Sequence, residues 1–286
     1  MIRRILVVAH PGRKQALEAV DHAIEALTAF GTEPVTEYVH GESEPVEAAL
    51  VLGGDGTMLH AVEVTRGADV PILGVNFGRV GFLAEAERDD VKVAAEALAS
   101  GKYTVVERGT LDLTVTNPDG STTEGWALNE TTVERAVPRR TLEVVVEVDR
   151  RTLSAFSCDG VVVSTATGST AHAYSAGGPV MWPNVDALLF VPLAAHALFS
   201  RPLVVGPGSV IGVRVTSTSS TPGVAVCDGS RTIDVPHGGL LEVRRGSHTV
   251  RLARLAEATF TERLIQKFSL PTKGWRGELD VRSAEE

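Results

Sequence analysis

Three stretches of this chain gather residues whose types could handle phosphate and hydroxyl chemistry. The first is Gly53-Gly54-Asp55-Gly56-Thr57. Glycines let the backbone take positive φ and let a phosphate approach with no Cβ in the way. The N-terminus of a following helix adds unpaired N–H groups and partial positive charge. Asp55 is out of place there, because a carboxylate repels phosphate. It makes sense if the acid has a job: accepting a proton from an attacking hydroxyl, or holding a magnesium ion. The plain alternative is a tight β–α turn whose aspartate caps the helix. All five residues between a buried strand and a helix favour the chemical reading.

The second stretch, Gly74-Val75-Asn76-Phe77-Gly78-Arg79-Val80-Gly81-Phe82, is another glycine turn after a strand. Loops at the carboxyl ends of neighbouring parallel strands line one crevice, where ligands bind. The third runs from Asp159-Gly160 through the apolar Val161–Val163 into Ser164-Thr165-Ala166-Thr167-Gly168-Ser169-Thr170-Ala171-His172-Ala173-Tyr174-Ser175 and then Gly177-Gly178-Pro179. Hydroxyls at this density suit a ligand rich in ribose and phosphate oxygens, or else serve as local capping bonds. Asn129-Glu130, inside an otherwise strand-like Trp126–Val133, offers an amide and a carboxylate to a hydroxyl pair or an exocyclic amine; strand-end polar pairs also simply face water. His60, on the first turn after the glycine loop, and Arg140 are candidate phosphate partners or solvated surface residues. Cys158 reads as a small buried residue, since a thiolate beside Asp159 is disfavoured.

These residues need a frame. Ile5–Ala9, Ala48–Leu52 and Pro71–Val75 are short apolar runs of the kind found in buried parallel strands. Between them Leu17, Val20, Ile24 and Leu27 make a helical stripe stopped by Gly31. Met58, Leu59 and Val62 begin a second helix, and Val91, Ala94, Ala97 and Leu98 a third, stopped by Gly101. Strand, glycine turn and helix in this order argue for an open parallel sheet, Rossmann-like, with helices on its faces. From about Lys102 the rhythm changes. Leu111–Val115 alternates with period two, and Asn117-Pro118-Asp119-Gly120 is a turn. Leu142–Val148 and Thr152–Cys158 flank a hairpin turn. Val210–Thr216, Gly223–Cys227, Thr232–Val235, Leu240–Val243 and Thr249–Leu255 continue as separate short strands, an antiparallel β-sandwich. Phe260–Phe268 is amphipathic. The expected divisions are an α/β domain over 1–104, a β-sandwich domain over 105–258 and a tail over 259–286.

At 286 residues, with 43% apolar and 22% charged side chains, the chain is neither disordered nor fibrous. Val185–Phe199, the most apolar stretch, contains Asp186, Pro192 and His196 and is shorter than the ~20 residues a span needs. Ile5–Ala9 is too short for a secretory leader. Two cysteines make neither a disulfide framework nor a metal site, which points to a reduced cytoplasmic protein. A net charge of −9 leaves no basic face for nucleic acid or membrane, but says little about a phosphorylated small ligand.

Taken together, Gly53–Thr57, Asn129-Glu130, Asp159-Gly160 leading into Thr167–Ala171, and Ser175-Ala176-Gly177-Gly178-Pro179 resemble the NAD kinase family, over about residues 1–280. Trp182-Pro183, His196-Ala197-Leu198-Phe199 and Trp275-Arg276-Gly277 resemble its actinobacterial members. The resemblance implies transfer of the terminal phosphoryl of ATP, or in some members of inorganic polyphosphate, to the 2′-hydroxyl of the adenosine ribose of NAD. Mg2+ or another divalent metal would accompany the phosphates, with no side chain identified as its direct ligand. By the same resemblance Asp55 is the proton acceptor, and Gly53, Gly54, Gly56 and Thr57 form the phosphate loop. Asp55, Gly56, His60, Phe82, Asn129, Glu130 and Arg140 would contact NAD. Asp159, Thr167, Thr170, Ala171, His172, Ala173, Tyr174 and Ser175 would continue that site. The 105–258 domain would bind NAD, the tail would return to the first domain, and the protein would be a cytoplasmic homodimer or homotetramer. Two positions depart from the family pattern: His172 replaces a tyrosine, and Ser230 follows Cys227-Asp228-Gly229 where glutamine is usual. A lipid kinase with the same glycine loop would need an apolar channel, which the hydroxyl-rich Ser164–Ser175 argues against. A non-catalytic NAD sensor would have no use for Asp55.

Overall fold

Short apolar runs closed by turn residues build the first of two units. The computed structural model describes residues 3–78, 81–198, 200–255 and 259–272. Arg79, Val80, Phe199, Trp275-Arg276-Gly277 and the expected tail beyond 272 lie outside the described residues. The chain divides into Met1–Val106 with Leu252–Glu286, and Glu107–Arg251.

The first unit opens with β1 (Arg4–Ala9), α1 (Lys14–Ala29), β2 (Glu33–Val35), β3 (Ala48–Leu52), α2 (Asp55–Val64), β4 (Ile72–Asn76), β5 (Ala86–Glu87) and α3 (Val91–Ser100). Its strands pair in parallel in the order β2-β1-β3-β4-β5. Every residue of β3 and β4 is buried, which is why Ala48–Leu52 and Ile72–Val75 show no polar alternation, with Asn76 the one polar residue, at the end of β4. The helical stripe expected on α1 holds at Val20 and Leu27, which pack in the core, and is corrected at Leu17. Ala16, Ala19, Ala23 and Leu27 are buried, whereas Leu17 is exposed. α1 packs beside α3, whose own buried face carries Ala94, Ala95 and Leu98, and small residues let the two helices approach. Both glycine stops hold. Gly31 (φ 76°) and Gly101 (φ 71°) are left-handed, and after α1 the Thr32 N–H reaches back to Leu27 O.

The second unit is a sandwich of two antiparallel layers. Its strands are β6 (Thr104–Thr116), β7 (Thr122–Ala127), β8 (Glu130–Arg135), β9 (Leu142–Val148), β10 (Arg151–Cys158) and β11 (Gly160–Ser164). After the short helix α4 (His172–Ser175) come β12 (Leu188–Leu193), β13 (Leu203–Val205), β14 (Ile211–Val215), β15 (Gly223–Cys227), β16 (Arg231–Val235) and β17 (Leu240–Arg254). One layer runs β10-β9-β14-β17 with the β6–β7 hairpin; the other runs β13-β12-β11-β8-β15-β16. Leu113, Val144, Val213 and Leu241 of the first layer pack against Val133, Val161, Phe190 and Ala225 of the second in one buried cluster. Their period-two spacing is the reason these segments are half-buried strands.

Two expectations are corrected here. Leu240–Val243 and Thr249–Leu255 are not separate strands but parts of β17, which continues through the polar Arg244–His248. A Cβ on Gly246 would stand 2.1 Å from Thr110 Oγ1, so this glycine permits a close approach to β6 instead of making a turn. Trp126–Val133 is not one strand either: β7 ends at Ala127 and β8 begins at Glu130, with the corner at Leu128-Asn129. Asp149 (φ 51°) and Arg150 (φ 63°) form the two-residue turn of the β9–β10 hairpin.

The end of β17 lies in the first unit, where Leu252 pairs in parallel with Ile72 of β4. The chain continues into α5 (Phe260–Phe268), started by a capping box between Thr259 and Glu262.

Candidate functional site

Asp55 is the first residue of α2. The N-cap is Gly54, which has no side chain to cap with, so the helix does not use the aspartate as its cap. The carboxylate instead accepts two backbone N–H groups from the second glycine turn: Phe82 N–H to Oδ2 and Leu83 N–H to Oδ1, both 3.1 Å. The two turns meet because β3 and β4 are neighbours, so the loops leaving their carboxyl ends emerge side by side. The expected positive φ at the loop glycines is corrected, because none of Gly53, Gly54 and Gly56 adopts it. Gly53 is needed for packing, since a Cβ there would stand 2.2 Å from Thr57 Oγ1, while Gly54 and Gly56 face open space.

That open space is a cleft of ≈ 1170 Å³. It is lined by Gly54 to Thr57, His60 and Val64 of the α2 segment, by the end of β1 with His10, Pro11 and Arg13, by Thr36 to Val39, and by Lys267. Helix N-terminal N–H groups and nearby cations favour an anion in it. His60 is on the second turn of α2, not the first, and is exposed on the cleft wall. Thr57 Oγ1 is buried without a partner among the described residues. Phe82 contributes its N–H to Asp55, while its ring packs on Phe260 and Phe268 of α5, with centroids 5.5 and 6.0 Å away. Arg13, which sequence reasoning missed, lines the cleft and bonds Phe77 O at 2.8 Å.

In the second unit, the backbone at the β7–β8 corner is held from every side. Asp228 accepts the N–H groups of Leu128 at 2.9 Å and Asn129 at 2.7 Å, and pairs with Arg231 at 2.7 Å. Asn129 O takes the Thr165 N–H at 2.9 Å and the Ser164 hydroxyl at 3.1 Å; Leu128 O takes the Thr165 hydroxyl at 2.7 Å. A Cβ on Gly168 would stand 2.1 Å from Asn129 O. The Asn129 and Glu130 side chains are therefore buried, and do not face water as strand-end pairs usually do. Asn129 Oδ1 and Glu130 Oε2 have no partner among the described residues. Burial, reinforced by the nearby Asp228, pushes the Glu130 carboxyl up to about 7, against the pull of the His172 N–H. Two buried acceptors without donors suit an amine or hydroxyl supplied from outside the chain.

The hydroxyl-rich segment divides its labour. Ser169 Oγ bonds Ala166 O at 2.7 Å and accepts the Met181 N–H at 2.8 Å, and the Thr170 hydroxyl bonds Thr167 O at 3.3 Å, so these groups cap local turns. Ala173 is fully buried among Val162, Met181 and Leu189, which removes its side chain from the proposed ligand surface. Ala171 is partly exposed, His172, Tyr174 and Ser175 are exposed, and Thr167 lines a smaller hollow of ≈ 210 Å³ with Asp186 and Arg245. Asp159 is not gathered with Asn129 and Glu130. It precedes Gly160, which pairs with Glu134, whereas Ser164 pairs with Glu130, four residues or about 13 Å along the strand. There it is ion-paired with Arg135 at 2.6 Å. Arg140, exposed beyond the end of β8, lies at that end too. Burial pushes the Cys158 thiol up to about 12, which suits an inert packed residue.

Residues 8–103 match the family model of the ATP-NAD kinase N-terminal domain and residues 128–255 that of the ATP-NAD kinase C-terminal domain. The chain is 50% identical to the NAD kinase of Leifsonia xyli subsp. xyli, over 96% of this chain and 97% of that one. It is 47% identical to NAD kinase 2 of Streptomyces coelicolor, with the same coverage of 96% and 97%. Among solved structures, a yeast NADH kinase complexed with NADH shares the fold at 21% identity with a TM-score of 0.84, covering 96% of this chain and 89% of that one. An NAD kinase from Archaeoglobus fulgidus in complex with ATP aligns at 26% identity with a TM-score of 0.75, covering 94% and 100%. The resemblance read from the loop, the Asn-Glu pair and the hydroxyl-rich segment is thus borne out over nearly the whole chain, and the chain belongs to the NAD kinase family.

Proposed function

We propose that the protein transfers the terminal phosphoryl group of ATP to the 2′-hydroxyl of the adenosine ribose of NAD, forming NADP, with Asp55 accepting the hydroxyl proton. The observation that carries this reading is the setting of Asp55. Its carboxylate is tied by two backbone N–H groups beside a large cleft, next to an uncapped helix N-terminus. The N–H ties orient the acid, and the helix N-terminus with Arg13 and Lys267 offsets the charge of a triphosphate, to which His10 and His60 offer ring nitrogens. A carboxylate is a weak base, so Asp55 would chiefly orient the hydroxyl and take its proton as the new P–O bond completes in a loose transition state. In the second unit, Asn129 Oδ1 and Glu130 Oε2 are the proposed acceptors for amine or hydroxyl hydrogens of the dinucleotide, with His172 and Tyr174 as exposed flat groups near the same segment.

Among the described residues no three His, Cys, Asp or Glu side chains gather as a metal's ligand shell. Mg2+ or another divalent metal would therefore be held by the donor's phosphates, where it neutralises charge. The same anion-binding features would accept inorganic polyphosphate as an alternative donor. A homodimer or homotetramer in the cytoplasm is proposed on the family resemblance alone; light scattering reads the subunit number.

The experiment is to incubate purified protein with NAD and Mg-ATP and follow NADP with an NADP-specific dehydrogenase. NADP should accumulate in step with ADP. NAD binding with no ATP consumed would indicate a sensor, and phosphorylation of diacylglycerol in place of NAD would indicate a lipid kinase; either rejects the proposal. Parallel reactions with polyphosphate and with NADH define the donor and acceptor range.

A further inference from the structure

Glu85, just beyond the loop that holds Asp55, is a carboxylate with only 3% of its side chain exposed. Two guanidinium groups reach it, from Arg254 at the end of β17 and Arg263 on α5, with side chains 11% and 12% exposed. Buried ion triads of this kind are weak contributors to stability compared with apolar packing, so this one calls for a reason other than stability. The backbone between Phe82 and Glu85 supplies one. The N–H groups of Phe82 and Leu83 point to Asp55, while Ala84 O accepts from Arg263 and Phe82 O from Arg254 at 3.5 Å. Glu85 N–H is tied to Gly74 O of β4 at 2.8 Å. The segment therefore has two hydrogen-bonded sides: one grips the acid and the other is gripped by the arginines. The Phe82 ring on Phe260 and Phe268 adds an apolar tie to α5.

We propose that Glu85, Arg254 and Arg263 are positioning residues for Asp55, acting through the backbone of residues 82–84. The C-terminal segment thereby sets the aim of the acid, gripping Phe82 and Ala84 from 172 and 179 residues further along the sequence. Charge follows the same route. Burial, then the neighbouring Arg254, lowers the Arg263 pKa, and both Glu85 and Asp55 act against that, so Asp55 and Arg263 feel one another. This inference rests on Asp55 being the proton acceptor.

The test is a mutant cycle in the full-length enzyme. Arg263→Lys keeps the cation, but one ammonium cannot reproduce a planar fork spanning Ala84 O and the Glu85 carboxylate. Its kcat for NADP formation should fall roughly tenfold, as misaimed catalytic groups do, with KM for NAD and ATP within about twofold. Placed on Asp55→Asn, the same substitution should change the residual kcat by less than about twofold, because the group it positions is already gone. Glu85→Asp should retain more kcat than Glu85→Gln; where Glu85→Gln fails to fold, Arg263→Lys carries the decision. Wild-type kcat in Arg263→Lys, or equal fractional losses in both backgrounds, overturns the proposal. Full turnover in Asp55→Asn would remove the acceptor role itself and this inference with it. An inactive Asp55→Asn beside a fully active Arg263→Lys would remove the positioning role alone.

Discussion

A Cβ built on Gly81 would stand 2.1 Å from Asp55 Oδ1. Gly81 does not have the positive φ that makes glycine obligatory in many turns, so what Asp55 requires of it is the missing side chain. The acid and the second glycine turn are in contact at a spacing that only a hydrogen atom fills.

Gly81→Ala should therefore push the carboxylate off the Phe82 and Leu83 N–H groups. A displacement near 1 Å at a reacting group costs on the order of 100-fold in rate. Steady-state kinetics should show that loss in kcat with KM for NAD little changed, and thermal unfolding should show a modest drop in stability.

Asp228 is expected to matter to NAD recognition without touching the ligand. It fixes the corner that presents Asn129 and Glu130 by accepting two backbone N–H groups, at 2.9 and 2.7 Å. Asp228→Asn replaces charge-assisted bonds with one neutral acceptor and leaves Arg231 unneutralised, a loss of about 1.5–3 kcal/mol. Denaturant unfolding should register the destabilisation, and KM for NAD should rise more than kcat falls.

The pH dependence follows from Glu130, whose carboxyl is raised from 4.5 to about 7 by burial and by Asp228. Between those values the native state holds a proton that the unfolded chain has released. The stabilising contribution is thus full below about pH 4.5, shrinks as pH climbs to about 7, and is constant above that. An ionised carboxylate accepts from an amine or hydroxyl more strongly than the neutral acid does, so affinity for NAD should weaken as pH drops below about 7, by at most about tenfold per pH unit. Glu130→Gln should flatten both profiles, measured by melting and by NAD titration. A profile unchanged in Glu130→Gln would assign the dependence to another group.

Much of this architecture is legible in local sequence because local physics decides it. Ala48–Leu52 and Pro71–Val75 read as buried parallel strands because both faces are covered, and Gly31 and Gly101 read as helix stops because left-handed residues end helices. The buried face of α1 is legible at Val20 and Leu27 and not at Ala16, Ala19 and Ala23, because alanine carries little hydrophobic signal, yet it is what a close α1–α3 contact buries. The polar Arg244–His248 reads as a break between two strands, and nothing local reveals that Gly246 lies against Thr110. In the site, Asp55 and the Asn129-Glu130 pair stand out by residue type. Asp228 is only the middle of Cys227-Asp228-Gly229 in sequence, and its work, capping a corner 99 and 100 residues earlier, is a long-range fact. Glu85, Arg254 and Arg263 are ordinary charges in sequence and become a buried triad only when the chain returns to the first unit. Ser169 and Thr170 were legible as hydroxyls, but which hydroxyls cap turns and which remain for a ligand depends on the tertiary path of the backbone.

The central claim concerns one carboxylate, and Asp55→Asn tests it most directly. The amide keeps the size and can still accept the Phe82 N–H but cannot take a proton. Calorimetric NAD affinity should stay within about threefold of wild type while kcat for NADP formation falls by at least about 100-fold, the scale of a lost general base. Turnover close to wild type in a variant that binds NAD normally would contradict the account.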